Sequence, residues 1–385
     1  MLLEQFEMER MQSTFENLVE FNLSESGVSP LTPRELIEDA AGLDGLLDQP
    51  LVYSQSNGTV ELRTAIAALY PGAGLDHVEV TNGGSEANFI TTFRLIEPGD
   101  EVVMLVPNYM QTWGLARAFG ATIREWRLIE DRAAGRWRID LAALEALVTA
   151  RTRMIVICNP NNPTGARLTA GDLDGIGRIA DRHGAWILSD EVYRGAEIDG
   201  QETASMWGRS DRAIITSGLS KAYGLPGLRI GWIVAPPPLV AAFWSYHDYV
   251  TIAPGALNDR LARVALAPAR RGRLLERTRA ILRTNLPPIE DWLRHAGGFE
   301  WITPEAGAIV YVRYGHAINS TLLAHRVREE KSVLIVPGDH FGMDGYLRLG
   351  FGEPPEYSRT GLERLREVLA GLPTGSTAPR APSFA

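Results

Sequence analysis

Between residues 75 and 234 the chain alternates short apolar, β-branched runs with longer stretches at helical spacing. The runs are HVEVT, EVVMLV, ATIREWRL, MIVICN, AWILSD, AIITS and RIGWIV. Runs apolar on both faces, such as residues 154–158, require helices above and below them, so the pattern predicts a mostly parallel sheet covered on both sides. Stretches such as 141–150 and 171–183 have the spacing of the crossover helices. After Pro254 the texture changes to an Arg- and Leu-rich region, 261–294, which predicts one or two helices. WITPEAGAIVYVRY, VLIVPG and YLRLGFG then predict strands, and residues 357–372 a closing helix. The fold class is therefore α/β, a large unit with a mostly parallel seven-stranded sheet plus a smaller α+β unit. The expected division assigns residues 1–44 to the smaller unit, 45–260 to the large one, 261–372 to the smaller one again and 373–385 to a disordered tail.

Composition narrows the class. At roughly 150 residues per domain, 385 residues and 42.3 kDa suggest about two or three units. Lys and Arg number 38 against 47 Asp and Glu, a net charge of −9, with no basic block, so a nucleic-acid partner is not expected. The single cysteine, Cys158, has no internal disulfide partner, which points to a reducing compartment and a cytoplasmic protein. The N-terminus mixes Glu and Arg into its apolar residues and reads as an amphipathic helix rather than a signal peptide. The longest apolar stretch, 230–244, is interrupted by Pro236, Pro237 and Pro238, so no membrane span is expected.

Chemistry concentrates at the ends of the predicted strands. In SGLSKAYGLPGLRIGW, Lys221 sits among apolar and small residues, a setting that lowers an amine's pKa and favours attack on a carbonyl, and Arg229 on the same segment suits an anchored phosphate. TNGGSEAN places a strand end against a helix start, where free backbone N–H groups bind anions. NPNNPTG falls at a strand's C-terminal end, the ligand-binding edge of open α/β sheets. AWILSDEVYRG ends a strand with Asp190 and brings Tyr193 close behind. Seven scattered histidines give no HExxH pair, and neither a GxGxxG opening the first βαβ unit nor a GxxxxGK[ST] occurs, which argues against a zinc hydrolase and against nicotinamide or nucleoside triphosphate. His183, His247 and His340 read as surface or supporting groups, and Cys158 as a small hydrophobe.

In order, Tyr53 with Gly58 and Leu62-Arg63, GGSEAN, EPGDEVV, PNY, NPNNPTG, SDEVY, SKAYGLPGLRIGW, and PGDHFG followed by YLRLGF resemble the pyridoxal-phosphate-dependent aminotransferases of fold type I, class I/II, over residues 21–372. The resemblance implies that Lys221 holds pyridoxal 5'-phosphate as a Schiff base and later acts as general base. It implies that Asp190 pairs with the ring nitrogen, that Asn162 and Tyr193 bond the phenolic oxygen, and that Tyr109 stacks on the ring. The phosphate would be met by the amides of Gly84, Ser85 and Glu86, by Ser217 or Ser220, and by Arg229, with Tyr53 reaching in from a second subunit of a homodimer. Many relatives carry a serine three places before the lysine, where this chain has Gly218. Arg348 would grip the substrate α-carboxylate. Asn162 and the FNLSESGV residues Glu25 and Gly27 complete the expected substrate contacts, with Glu25 a partner for a cationic side chain. The implied activity is transfer of an amino group from an L-amino acid to a 2-oxo acid. A lyase, decarboxylase or cyclase would begin with the same residues.

Overall fold

The computed structural model describes residues 3–373 and residue 375. All seven apolar runs become strands of one sheet: β1 (Val78–Thr81), β2 (Glu101–Val106), β3 (Thr122–Arg127), β4 (Thr152–Cys158), β5 (Trp186–Asp190), β6 (Ala213–Gly218) and β7 (Gly231–Val234). Their order is β1-β7-β6-β5-β4-β2-β3. Only β7 runs against its neighbours, antiparallel to both β1 and β6, so the sheet is mixed by one strand.

Alternation within the buried strands divides the core into two layers. Val103, Leu105, Ile155 and Ile157 belong to one apolar cluster, while Val102, Met104, Met154 and Val156 belong to the other. Each strand thus sends successive side chains to opposite covered faces, which is why these runs lack polar positions.

The C-terminal ends of β1, β4, β5 and β6 lie along one edge, since these strands are mutually parallel and register aligns Cys158 with Asp190 and Asp190 with Thr216. The glycine-rich, NPNNPTG, Asp190 and lysine segments follow these ends, and the PNY segment follows the end of β2, which is parallel to β4.

The Arg- and Leu-rich region forms two helices, Ala256–Leu266 and Pro268–Ala296, parted at Ala267, where the following proline disfavours helical backbone. Beyond them a four-stranded antiparallel sheet forms from β8 (Phe299–Trp301), β9 (Ile309–Tyr314), β10 (Val336–Pro337) and β11 (Tyr346–Gly350), in the order β8-β9-β11-β10. The helix Pro355–Ala370 closes the chain. Phe21–Asn22 pairs in parallel with Val333–Leu334, and the Gly350 amide donates to the Leu23 carbonyl, so the N-terminal segment is stitched to this second sheet. Ahead of it, α1 (Glu7–Phe15) buries Met8, Met11 and Gln12. The expected disordered tail lies outside the described residues except for Pro373 and Gly375, whose backbones bond Ala317 and Gly315. Among the described residues no helix is long and apolar enough to cross a membrane.

Candidate active site

A cavity of about 290 Å³ opens at the strand-end edge, near the low end of the roughly 300–1,000 Å³ usual for small-molecule sites. Gly84, Ser85, Tyr109, Asn162, Asp190, Tyr193, Ser220, Lys221, Arg229, Arg348 and Glu25 all line it.

One end is built for an anion. The helix α2 (Gly84–Leu95) begins there after Gly83, whose φ of +92° is a left-handed conformation that favours glycine. A Cβ on Gly83 would come within 2.3 Å of the Arg229 guanidinium, so only glycine lets that cation close over the helix N-terminus. The first-turn amides, without intrahelical acceptors, face the same end as Arg229 and the Ser220 hydroxyl.

The other end carries Asp190. Burial raises its pKa, while bonds from Asn88 Nδ2 (3.0 Å) and the Val192 amide (3.1 Å) favour the carboxylate. Asn88 Oδ1 in turn accepts from Thr216 Oγ1 at 2.7 Å, which fixes the orientation of the amide. A buried carboxylate held this way, with no cation against it, is a ready partner for a cationic ring nitrogen.

Lys221 lines the same cavity, its Nζ 2.6 Å from Glu25 Oε1. The expected lowering of its pKa is reversed here. Burial does oppose its cation, but the Glu25 charge, Tyr193 and the hydrogen bond to Glu25 outweigh burial and raise the pKa. Glu25 mirrors this: burial disfavours its charge, yet Lys221 and the amides of Gly27 and Ser26 bring it down to about 2.

Arg348, on β11, is 1% exposed. Its Nη1 donates to Asn162 Oδ1 (2.8 Å) and its Nη2 to the Ser24 carbonyl (2.6 Å), while Nε has no partner among the described residues. A buried guanidinium with an unused N–H beside a cavity suits a carboxylate. Tyr193 donates to Ser26 Oγ at 2.8 Å, and Tyr109 to Glu9 Oε1 at 2.9 Å.

Several expected residues are placed differently. Ser217 does not line the cavity: its hydroxyl donates to the Glu191 carbonyl, leaving Ser220 as the serine that faces inward. At Gly218 a Cβ would sit 2.9 Å from the Ile230 carbonyl, so the local backbone has no room for a serine there. The Glu86 side chain turns away to Thr251, His247 and the Asn82 amide. Gly27 contributes its amide to Glu25 and stands beside the lysine stem. Tyr53 is 87% exposed and outside the cavity. Met8, Glu9 and Gln12 of α1, together with Asn88 and Ser26, line it without having been singled out from the sequence.

The family model for aminotransferase class I and II matches residues 22–365. The chain belongs to this family. The aminotransferase is 35% identical over 355 residues to capreomycidine synthase of Streptomyces vinaceus, covering 90% of this chain and 89% of that protein. It is 28% identical over 352 residues to an arginine–pyruvate transaminase of Pseudomonas aeruginosa, covering 89% and 88%. The crystal structure of a PLP-dependent aminotransferase from Streptococcus suis superposes with a TM-score of 0.90 at 33% identity, covering 98% of this chain and 100% of that one. The protein is thus an enzyme dependent on pyridoxal phosphate, and the cavity fits that group: a phosphate cradle at one end, a buried carboxylate at the other, and an amine in the same cavity.

Proposed function

We propose that this aminotransferase uses Lys221 to move the amino group of an L-amino acid to a 2-oxo acid in two half-reactions, as a cytoplasmic homodimer. When bound, pyridoxal phosphate supplies an aldehyde that takes up the amino group and a ring that accepts electrons from the substrate α-carbon. Backbone amides at the start of α2, Ser220 and Arg229 hold its phosphate. Asp190, oriented by Asn88, balances positive charge at the ring nitrogen, while Asn162 and Tyr193 address the phenolic oxygen and Tyr109 flanks the ring. Lys221 Nζ would hold the group through its aldehyde carbon. Its amine, when free, would serve as the base for the substrate α-proton. Arg348 clamps the α-carboxylate so that the bond to be broken is presented to Lys221.

The observation that carries this reading is one cavity lined at once by Lys221, Asp190, Arg229 and the start of α2. Exposed Leu47, Leu51, Val52 and Tyr53, with Tyr249 and Ile252, support the dimer, since large apolar side chains in such number mark interaction surfaces. Tyr53 would then reach the partner's phosphate. The named synthase relative favours a second reading, in which the same residues start an elimination or cyclisation. Supplying the purified protein with amino acids and 2-oxoglutarate separates the two. Glutamate formation is expected, and ammonia with a 2-oxo acid but no glutamate would overturn the transaminase reading.

A further inference from the structure

The N-terminal segment forms one wall of the cavity and places two carboxylates in it, Glu9 from α1 and Glu25 from the stretch before Val28. The cavity's cations are already committed: Lys221 to the aldehyde, Arg229 to the phosphate and Arg348 to an α-carboxylate. Among the described residues no further cation lines it to receive an acidic side chain. Arg348 also fixes where a donor must lie. Its Nη2 bonds the Ser24 carbonyl and its Nη1 lies 3.6 Å from Met8 Sδ, so the carboxylate-binding guanidinium packs against the immediate sequence neighbours of both glutamates. Its buried Nε, without a partner among the described residues, is a donor left over for a carboxylate.

We infer that the donor carries a cationic side chain, a guanidinium or a similar extended cation, received between Glu9 and Glu25. This rests on the aminotransferase reading above. In the structure Glu25 already holds a cation, the Lys221 ammonium at 2.6 Å. Once that nitrogen is bonded to the cofactor, Glu25 keeps the Ser26 and Gly27 amides on Oε1 but loses its counter-ion. A substrate cation restores the pair. Glu9 spends one oxygen on the Tyr109 hydroxyl and keeps the other. Glu16, just past the end of α1, registers the same negative field: partial burial and then the charges of Glu25 and Glu9 raise its pKa. A planar guanidinium, with donors on several edges, suits two carboxylates presented from different segments better than a point charge does.

The test uses the holoenzyme. Calorimetric binding of 5-guanidinopentanoate, which has the carboxylate and cation but no amine to react, is compared with that of neutral 5-ureidopentanoate. In parallel, conversion of the cofactor absorbance is followed with L-arginine, L-citrulline, L-aspartate and L-methionine. A charge-assisted contact predicts about ten- to hundredfold tighter binding of the guanidino acid and a similar preference for arginine over citrulline. Both preferences should shrink toward unity in Glu9→Gln and Glu25→Gln. The amide oxygen introduced by Glu9→Gln still accepts the Tyr109 hydroxyl, and the citrulline control corrects for any general loss in either variant. Equal binding of the two acids, a preference unchanged in both variants, or faster conversion by aspartate or methionine overturns the inference while leaving the aminotransferase reading intact. Failure of every amino acid to convert the cofactor, with guanidino selectivity still present in binding, overturns that reading instead.

Discussion

Arg348→Lys retains a positive charge on β11 but replaces a five-donor fork with a single ammonium. In the wild type three of those donors serve the protein, at 2.8 Å to Asn162, 2.6 Å to Ser24 and 3.6 Å to Met8 Sδ, which leaves Nε and one η hydrogen available to a substrate carboxylate. A hydrogen bond to a charged group is worth about 1.5–3 kcal/mol, so losing one of two carboxylate contacts lowers kcat/KM by roughly 10- to 150-fold. Arg348→Gln removes both, together with the charge, and the corresponding loss of about 3–6 kcal/mol is roughly 10² to 10⁴. The loss arises at the donor carboxylate, since the guanidinium's contacts run to Asn162, Ser24 and Met8 and none to the helix start or Arg229 that cradle the phosphate. The assay is the rate of cofactor-band conversion against donor concentration, alongside a titration of cofactor affinity. A kcat/KM for Arg348→Lys within about threefold of wild type would refute the role assigned to the guanidinium.

Gly231→Ala tests the phosphate cradle from behind: its Cβ would fall 2.3 Å from the Gly83 carbonyl carbon and 2.4 Å from the Gly84 nitrogen, both backbone. Overpacking of about 1–3 kcal/mol against the start of α2 should weaken cofactor binding by roughly tenfold or more, measured by equilibrium titration, and unchanged affinity would contradict the packing argument. His247 tests the support beneath that helix. Its imidazole is fully buried, with Nδ1 2.8 Å from Glu79 and Nε2 3.3 Å from Glu86. Burial opposes its cation, but hydrogen bonds to the two glutamates prevail and raise it from 6.5 to about 9. A raised folded-state pKa gives stability that is complete below 6.5 and is lost as pH rises through 9. The urea midpoint of the wild type should therefore fall between about pH 7 and 9.5, and His247→Gln should flatten that slope. An equally steep slope in the variant would exclude His247 as its source.

The large sheet was legible because its central strands are covered on both faces, so burial wrote apolar runs such as residues 102–106 and 154–158 into the sequence. The strand-end motifs were legible for a related reason: local backbone demands restrict which residues fit, as at Gly83 with its φ of +92° and at Gly218, where a Cβ would meet the Ile230 carbonyl. What could not be read were contacts made across long stretches of chain. Glu9 meets Tyr109 and Ser26 meets Tyr193, each far away in sequence, through packing that no local pattern encodes. The α1 pattern announced a helix but not that its buried face would wall the cavity. Lys221 had an apolar sequence neighbourhood, yet its electrostatics are set by Glu25, which is distant in sequence and adjacent in space. His247 was read as a surface or supporting group and is fully buried beneath α2, because its partners Glu79 and Glu86 lie on β1 and α2.

The account stands or falls on the side-chain nitrogen at position 221. The direct measurement is to incubate the purified protein with pyridoxal phosphate, reduce it with borohydride, digest it and locate the modified peptide by mass. The account predicts a yellow protein whose colour the reductant removes, a stable cofactor adduct on Lys221, and no adduct in Lys221→Ala. A colourless wild type with Lys221 unmodified, or an adduct on another lysine that persists in Lys221→Ala, would contradict it.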